Sequence, residues 1–221
     1  MNGIKLSIAA LAMVTALGGA SVAQDYPAPV PLKEGAQAPI DGIAKADGPL
    51  RIAYMPPATE FNYYIAIGEG IKSIAAAKGV EVFMLAPQSG ADINGQMGMI
   101  QDVLTQDVDA IIFGTHDEGA AAPLLKKAVE KGVAVVMINS DIPNFPTPIH
   151  GVVGYAQRAG THKMADWAVA KLAGKDVKVG VIEGQPGYHS TERVGGFLDG
   201  IAGHQNLQVV ASIELGEPDD D

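Results

Sequence analysis

Residues 50–64 read LRIAYMPPATEFNYY. The opening run, apolar apart from Arg51, is too short for a core helix and stops at two prolines, so it reads as a strand covered on both faces. The polar turn after it leads into helical spacing near 62–78, and the same unit then recurs along the chain. VEVFML (80–85) precedes a helix near 91–106, DAIIFG (109–114) one near 119–131, and VAVVMI (133–138) runs through a loop into IHGVVG (149–154). A second series follows: a helix near 157–173, VKVGVI (177–182), a helix near 190–203 and LQVVASI (207–213). Strand and helix in alternation make βαβ units, so the expected fold is α/β with doubly wound parallel sheets. Gly79, Gly132 and Gly174 stand where three of the helices should end.

The organisation divides into four parts. Residues 1–23 carry one early cation, Lys5, an apolar run from Leu6 to about Leu17, and small residues at Ser21 and Ala23. That is a signal-peptide pattern, with cleavage expected between Ala23 and Gln24 and a periplasmic destination. The run is short of the ~20 residues a membrane span needs. Residues 24–49, rich in Pro, Ala and Gly, read as an extended leader draped over the domain. An N-terminal α/β lobe is expected over 50–154 and a partial C-terminal lobe over 155–221, with the change of lobe in the polar GYAQRAG segment. Two strands and two helices are too few for a parallel sheet covered on both sides. The second lobe is therefore expected to be incomplete, being either unusually small or cut short.

Composition narrows the function. Of 221 residues, 48% are hydrophobic and 18% charged, an ordinary globular balance. Net charge is −10, from 15 basic and 25 acidic residues, with no basic cluster to neutralise a row of phosphates, which argues against nucleic acid. The absence of cysteine excludes disulfides, thiolate nucleophiles and Cys-ligated metals. No G-x-S-x-G elbow or P-loop is present, and adjacency of His189 and Ser190 does not make a catalytic pair, so no enzyme, cofactor or metal is expected.

Ligands of such sheets bind where strands end and helices begin. Phe61, Tyr63 and Tyr64 cluster at one such end although the chain has only six Tyr, five Phe and one Trp. Rings suit the C–H face of a sugar, and they also cap helix–sheet cores. Asp117 can face a ligand or serve as a helix N-cap. His116 has no second histidine at metal-ligand spacing and reads as a surface imidazole. Asn139 and Asp141 emerge directly after a buried strand, and either a turn or a ligand explains them. Arg193 falls in what reads as the first turn of a helix capped by Ser190 or Thr191, an unfavourable place for a cation unless it has a partner. That partner is either a bidentate ligand group or a neighbour such as Glu192 or Glu183.

At these loops the chain resembles the periplasmic substrate-binding proteins of sugar ABC transporters, of the ribose-binding type, from about Leu50 to Ile213. The resemblance implies that Tyr63 and Tyr64 supply the sandwiching rings, with Phe61 at a position usually polar. Arg193, within an intact ERVGGF, corresponds to the family's second-lobe arginine. The family's Asp-Arg pair falls on Asn139 and Ser140, which leaves Asp141 to supply a carboxylate. It further implies two lobes that close on a small sugar, delivery to a membrane ABC permease, and a monomer when the chain is complete. A periplasmic sensor subunit signalling to a membrane kinase is the alternative on the same fold.

Overall fold

The structure, a computed structural model, describes residues 31–44, 46–184 and 186–214. The signal-peptide reading of 1–23 and the first part of the leader lie outside the described residues.

Five parallel strands form the first sheet: β1 (Arg51–Met55), β2 (Glu81–Met84), β3 (Ala110–Phe113), β4 (Ala134–Ile138) and β5 (Gly151–Val153), in the order β2-β1-β3-β4-β5. Helices α1 (Asn62–Ala76), α2 (Ile93–Val103) and α3 (Glu118–Glu130) connect the first four strands. Side chains alternate across the sheet with the two-residue period of a strand. Ala53, Met55, Ile111, Phe113, Val135 and Met137 are buried against Ile100, Val103 and Leu125 of α2 and α3. Tyr54, Ile112 and Ile138 turn to the opposite face and meet Tyr64, Ile67 and Ile71 of α1. Both faces are thus apolar, which is why the strands read as nearly unbroken hydrophobic runs. Strand order reverses between β1 and β3, and this switch point opens a crevice at the carboxyl edge of the sheet.

The second sheet, among the described residues, is β6 (Val177–Glu183) paired in parallel with β7 (Leu207–Glu214). Two helices, α4 (Gln157–Lys171) and α5 (Tyr188–Ile201), pack together on one of its faces around Ala165, Ile201 and Leu207. Their close approach requires glycine: a Cβ on Gly200 would stand 2.5 Å from Ala165 Cβ. On the sheet's outer side Ile182, Val209, Val210 and Ile213 are exposed.

The start of α5 differs from the sequence reading. The N-cap is Gly187, not Ser190 or Thr191, and the helix begins at Tyr188. Gly187 has φ +147°, a conformation that side chains rarely adopt, and it turns the chain into the helix without any side-chain cap. Arg193 therefore lies in the second turn, beyond the reach of the unpaired N-terminal amides that made its position unfavourable.

Residues 31–44 run along the first lobe. Ala36 and Ala38 are buried, and Ala38 N donates to Ile149 O at 2.8 Å while Ile149 N donates to Ala36 O at 3.0 Å. A short 3-10 helix, Ile40–Gly42, follows.

Candidate functional site

Buried polar groups fix the loops at the crevice. Gln96 of α2, 2% exposed, donates from Nε2 to Pro56 O at 3.1 Å and Gly114 O at 2.7 Å, and accepts from Thr115 Oγ1 at 2.9 Å. One side chain thereby ties the carboxyl ends of β1 and β3 across the switch point. A second clamp comes from Glu60, whose Oε1 accepts from Gly90 N at 2.7 Å. On the other side, Gly154 lies so close to the Ser140 backbone that no Cβ would fit. This contact brings the exit of β5, and Tyr155 with it, beside the loop that follows β4.

The loops enclose a cavity of about 600 Å³ lined by Phe61, Tyr63, Tyr64, His116, Asn139, Tyr155, His189 and Arg193. Asn139 has φ +57°, and among the described residues it is the only non-glycine with positive φ. Asparagine tolerates this left-handed conformation better than most residues, and such positions gather at functional sites. Its amide sits between two rings: Tyr63 Oη donates to Oδ1 at 2.8 Å, and Nδ2 donates to Tyr64 Oη at 3.0 Å. The rings of Tyr63 and Tyr64 meet edge to face, 5.2 Å between centroids at 73°, and Phe61 meets Tyr64 similarly at 6.1 Å. Burial raises the phenol pKa of both tyrosines, so each hydroxyl is a neutral donor and acceptor at neutral pH.

Arg193 crosses from α5 to complete the wall. Its Nη2 donates to Tyr155 Oη at 2.6 Å and its Nε to Gln157 Oε1 at 2.7 Å. Neither glutamate suggested as its partner holds it, because Glu192 pairs with Arg158 and Glu183 bonds Ser212. Gln157, the first residue of α4 and 1% exposed, is the hub of this side. Its Nε2 donates to Asp141 Oδ1 and its backbone N to Asp141 Oδ2, both at 2.9 Å. His189 Nδ1 stands within hydrogen-bond distance of the same amide, 3.0 Å from Oε1. Burial first, then Arg193 and His116, push the His189 pKa down to about 4, so the imidazole is neutral at pH 7. Its Nε2 lies 3.5 Å from Glu118 Oε1, and burial raises the Glu118 pKa.

Five of the seven residues singled out in the sequence, Phe61, Tyr63, Tyr64, Asn139 and Arg193, line the cavity. Asp117 and Asp141 do not, for reasons of local chemistry. Asp117 is the N-cap of α3, with Oδ1 accepting from Ala120 N at 2.8 Å. Asp141 caps the start of α4 through both oxygens and also bonds Tyr188. His116, read as a surface imidazole, instead lines the cavity, with Nδ1 3.2 Å from Gly90 O and its ring against Phe61. Tyr155, Gln157 and His189 were missed. An aromatic directly after β5, in register with the polar exit of β4, was the available signal for Tyr155. Among the described residues no cluster of His, Asp and Glu could hold a metal, and no helix is long and apolar enough to cross a membrane.

The family model described as periplasmic binding protein domain matches residues 52–221. The chain belongs to the periplasmic binding protein domain family. Among curated members it is 29% identical over 148 residues to the ribose import binding protein RbsB of Bacillus subtilis, a match covering 67% of this chain and 47% of that protein. It is 25% identical over 158 residues to a D-ribose/D-allose-binding protein of Pseudomonas aeruginosa, covering 68% and 49%. The crystal structure of the Caulobacter myo-inositol binding protein bound to myo-inositol superposes with a TM-score of 0.67 at 27% identity, covering 77% of this chain and 57% of that one. The chain thus spans about half the length of the curated relatives it matches. Its α/β architecture with parallel sheets is that of the periplasmic binding protein fold.

Proposed function

We propose that the protein captures a small polyhydroxylated ligand, a sugar or a close relative, between its two lobes and delivers it to an ABC importer in the cytoplasmic membrane. The observation that carries this reading is the composition of one cavity. It joins rings and an amide from the carboxyl edge of the first sheet to a guanidinium on α5, across the 155–157 crossing. Rings cover the C–H face of a sugar, while Asn139 and Arg193 reach its edge oxygens.

The lobes in this proposal are 50–154 and 155–221, with residues 1–23 directing export to the periplasm. Names of relatives that concern import and sugar binding favour an importer as partner over a sensor kinase. Enzymatic chemistry has no support in the site. Ser190 Oγ donates to Gly184 O at 3.4 Å rather than to His189, whose Nδ1 faces Gln157, so no nucleophile is activated. Calorimetric titration with a panel of pentoses, hexoses and cyclitols tests the proposal. Saturable one-to-one binding of a member of the panel is expected, and no heat with any member would refute it.

A further inference from the structure

Resting on that reading of the cavity, we propose that the ligand is an acidic sugar: a ring whose hydroxyls are accompanied by a carboxylate, bound by Arg193. The argument is one of supply and demand among hydrogen-bonding groups. A neutral sugar presents hydroxyl hydrogens, and a site for it needs acceptors, best of all carboxylates. Among the described residues lining this cavity there is no Asp or Glu. The neutral acceptors are also engaged. Asn139 Oδ1 takes the Tyr63 hydroxyl, Tyr155 Oη takes Arg193 Nη2, and Gln157 Oε1 takes Arg193 Nε.

The two nearest carboxylates are turned to other work. Asp141 spends both oxygens on Gln157 and also bonds Tyr188. Glu118 lies on the far side of the His189 ring, against Nε2 rather than in the cavity. What remains is one permanent cation whose protein partners, Tyr155 and Gln157, are both neutral, beside an imidazole that carries no charge at neutral pH. A guanidinium with neutral partners in a recessed site is best matched by an anion, and its planar fork fits a carboxylate in particular. Tyr63 and Phe61, both partly exposed and at the same mouth, supply the apolar surface that a sugar ring covers and a simple inorganic anion cannot.

The test is a calorimetric titration of the full chain at pH 7 with matched pairs, D-galacturonate against D-galactose and D-glucuronate against D-glucose, with phosphate and acetate alongside. The acid of a pair should bind about 10- to 100-fold more tightly than its neutral parent, as a charge-assisted contact implies. That gap should narrow as ionic strength rises. Neutral sugars binding as tightly as the acids would overturn the inference and leave the sugar-binding proposal standing, whereas no binding by either kind would overturn both. Phosphate or acetate binding as tightly as the uronates would overturn the acidic-sugar class in favour of a plain anion site. Two variants read the same point inside the protein. Arg193→Gln should abolish the preference for the acid. Asn139→Asp, which keeps a residue tolerant of left-handed φ, places a carboxylate between the tyrosines and should reverse the preference. Unchanged uronate affinity in Asn139→Asp would overturn the inference.

Discussion

Replacing Gln157 by leucine tests whether the polar hub organises the second-lobe wall of the cavity. The substitution nearly conserves volume at a site that is 1% exposed, so its effect is polar rather than steric. It removes the 2.9 Å bond to Asp141 Oδ1 and the 2.7 Å bond from Arg193 Nε, and leaves the backbone bond to Asp141 Oδ2 in place. Each stranded partner is charged and partly buried, and losing such a bond costs about 1–2 kcal/mol, so folding stability should fall by about 2–4 kcal/mol. For a chain of this size that lowers the unfolding midpoint by roughly 4–16 °C. Affinity should fall as well, because Arg193 loses the acceptor that orients its guanidinium. Thermal unfolding followed by circular dichroism and titration with the best ligand of the panel read the two effects. A variant with unchanged midpoint and unchanged affinity would refute the hub.

Other substitutions separate the parts. His189 holds its proton less tightly in the folded chain, at about pH 4 against 6.5 in the unfolded one, so its contribution is present above pH 6.5 and is lost as pH falls toward 4. His189→Asn should therefore lose less stability over that window, by on the order of 2–3 kcal/mol, in denaturant titrations. Glu118 has the opposite sign: its folded pKa is raised, so its contribution is present at low pH and disappears as pH rises, and Glu118→Gln should stabilise the protein at neutral pH. Asp117→Ala removes the cap of α3 and should cost about 1 kcal/mol of stability while leaving ligand affinity intact, since the carboxylate is outside the cavity. Gly200→Leu should destabilise the second lobe by ~3 kcal/mol or more, read by chemical denaturation, because the α4–α5 contact leaves no room for the side chain.

The fold was legible because both faces of the first sheet are apolar. Runs such as VAVVMI then stand out without any helical period, and left-handed glycines at 79, 132 and 174, with φ between +68° and +80°, mark the helix ends. The start of α5 was not legible, since it depends on the backbone of Gly187 and not on a capping side chain. At the site, rings and Asn139 could be read because they follow strands directly. Gln157 could not be read, because its role comes from Asp141, sixteen residues earlier, and from Arg193, thirty-six residues later. Asp141 misled for the same reason: a carboxylate at a strand end offers itself to a ligand in sequence, and only the packing of α4 reveals that a helix start claims it. Asp117, whose cap is local, was legible in that role.

The most direct measurement of the central claim is a calorimetric titration of the protein, Tyr63→Ala and Arg193→Ala against the same neutral and acidic monosaccharides. Tyr63 and Arg193 approach the cavity from opposite lobes, and Tyr63 is 53% exposed, so its removal should leave the unliganded unfolding midpoint nearly unchanged. One-to-one binding by the unaltered protein, weakened about tenfold or more in each variant, is the expected result. Equal affinity in all three proteins would contradict a ligand held between the first-lobe rings and the α5 guanidinium.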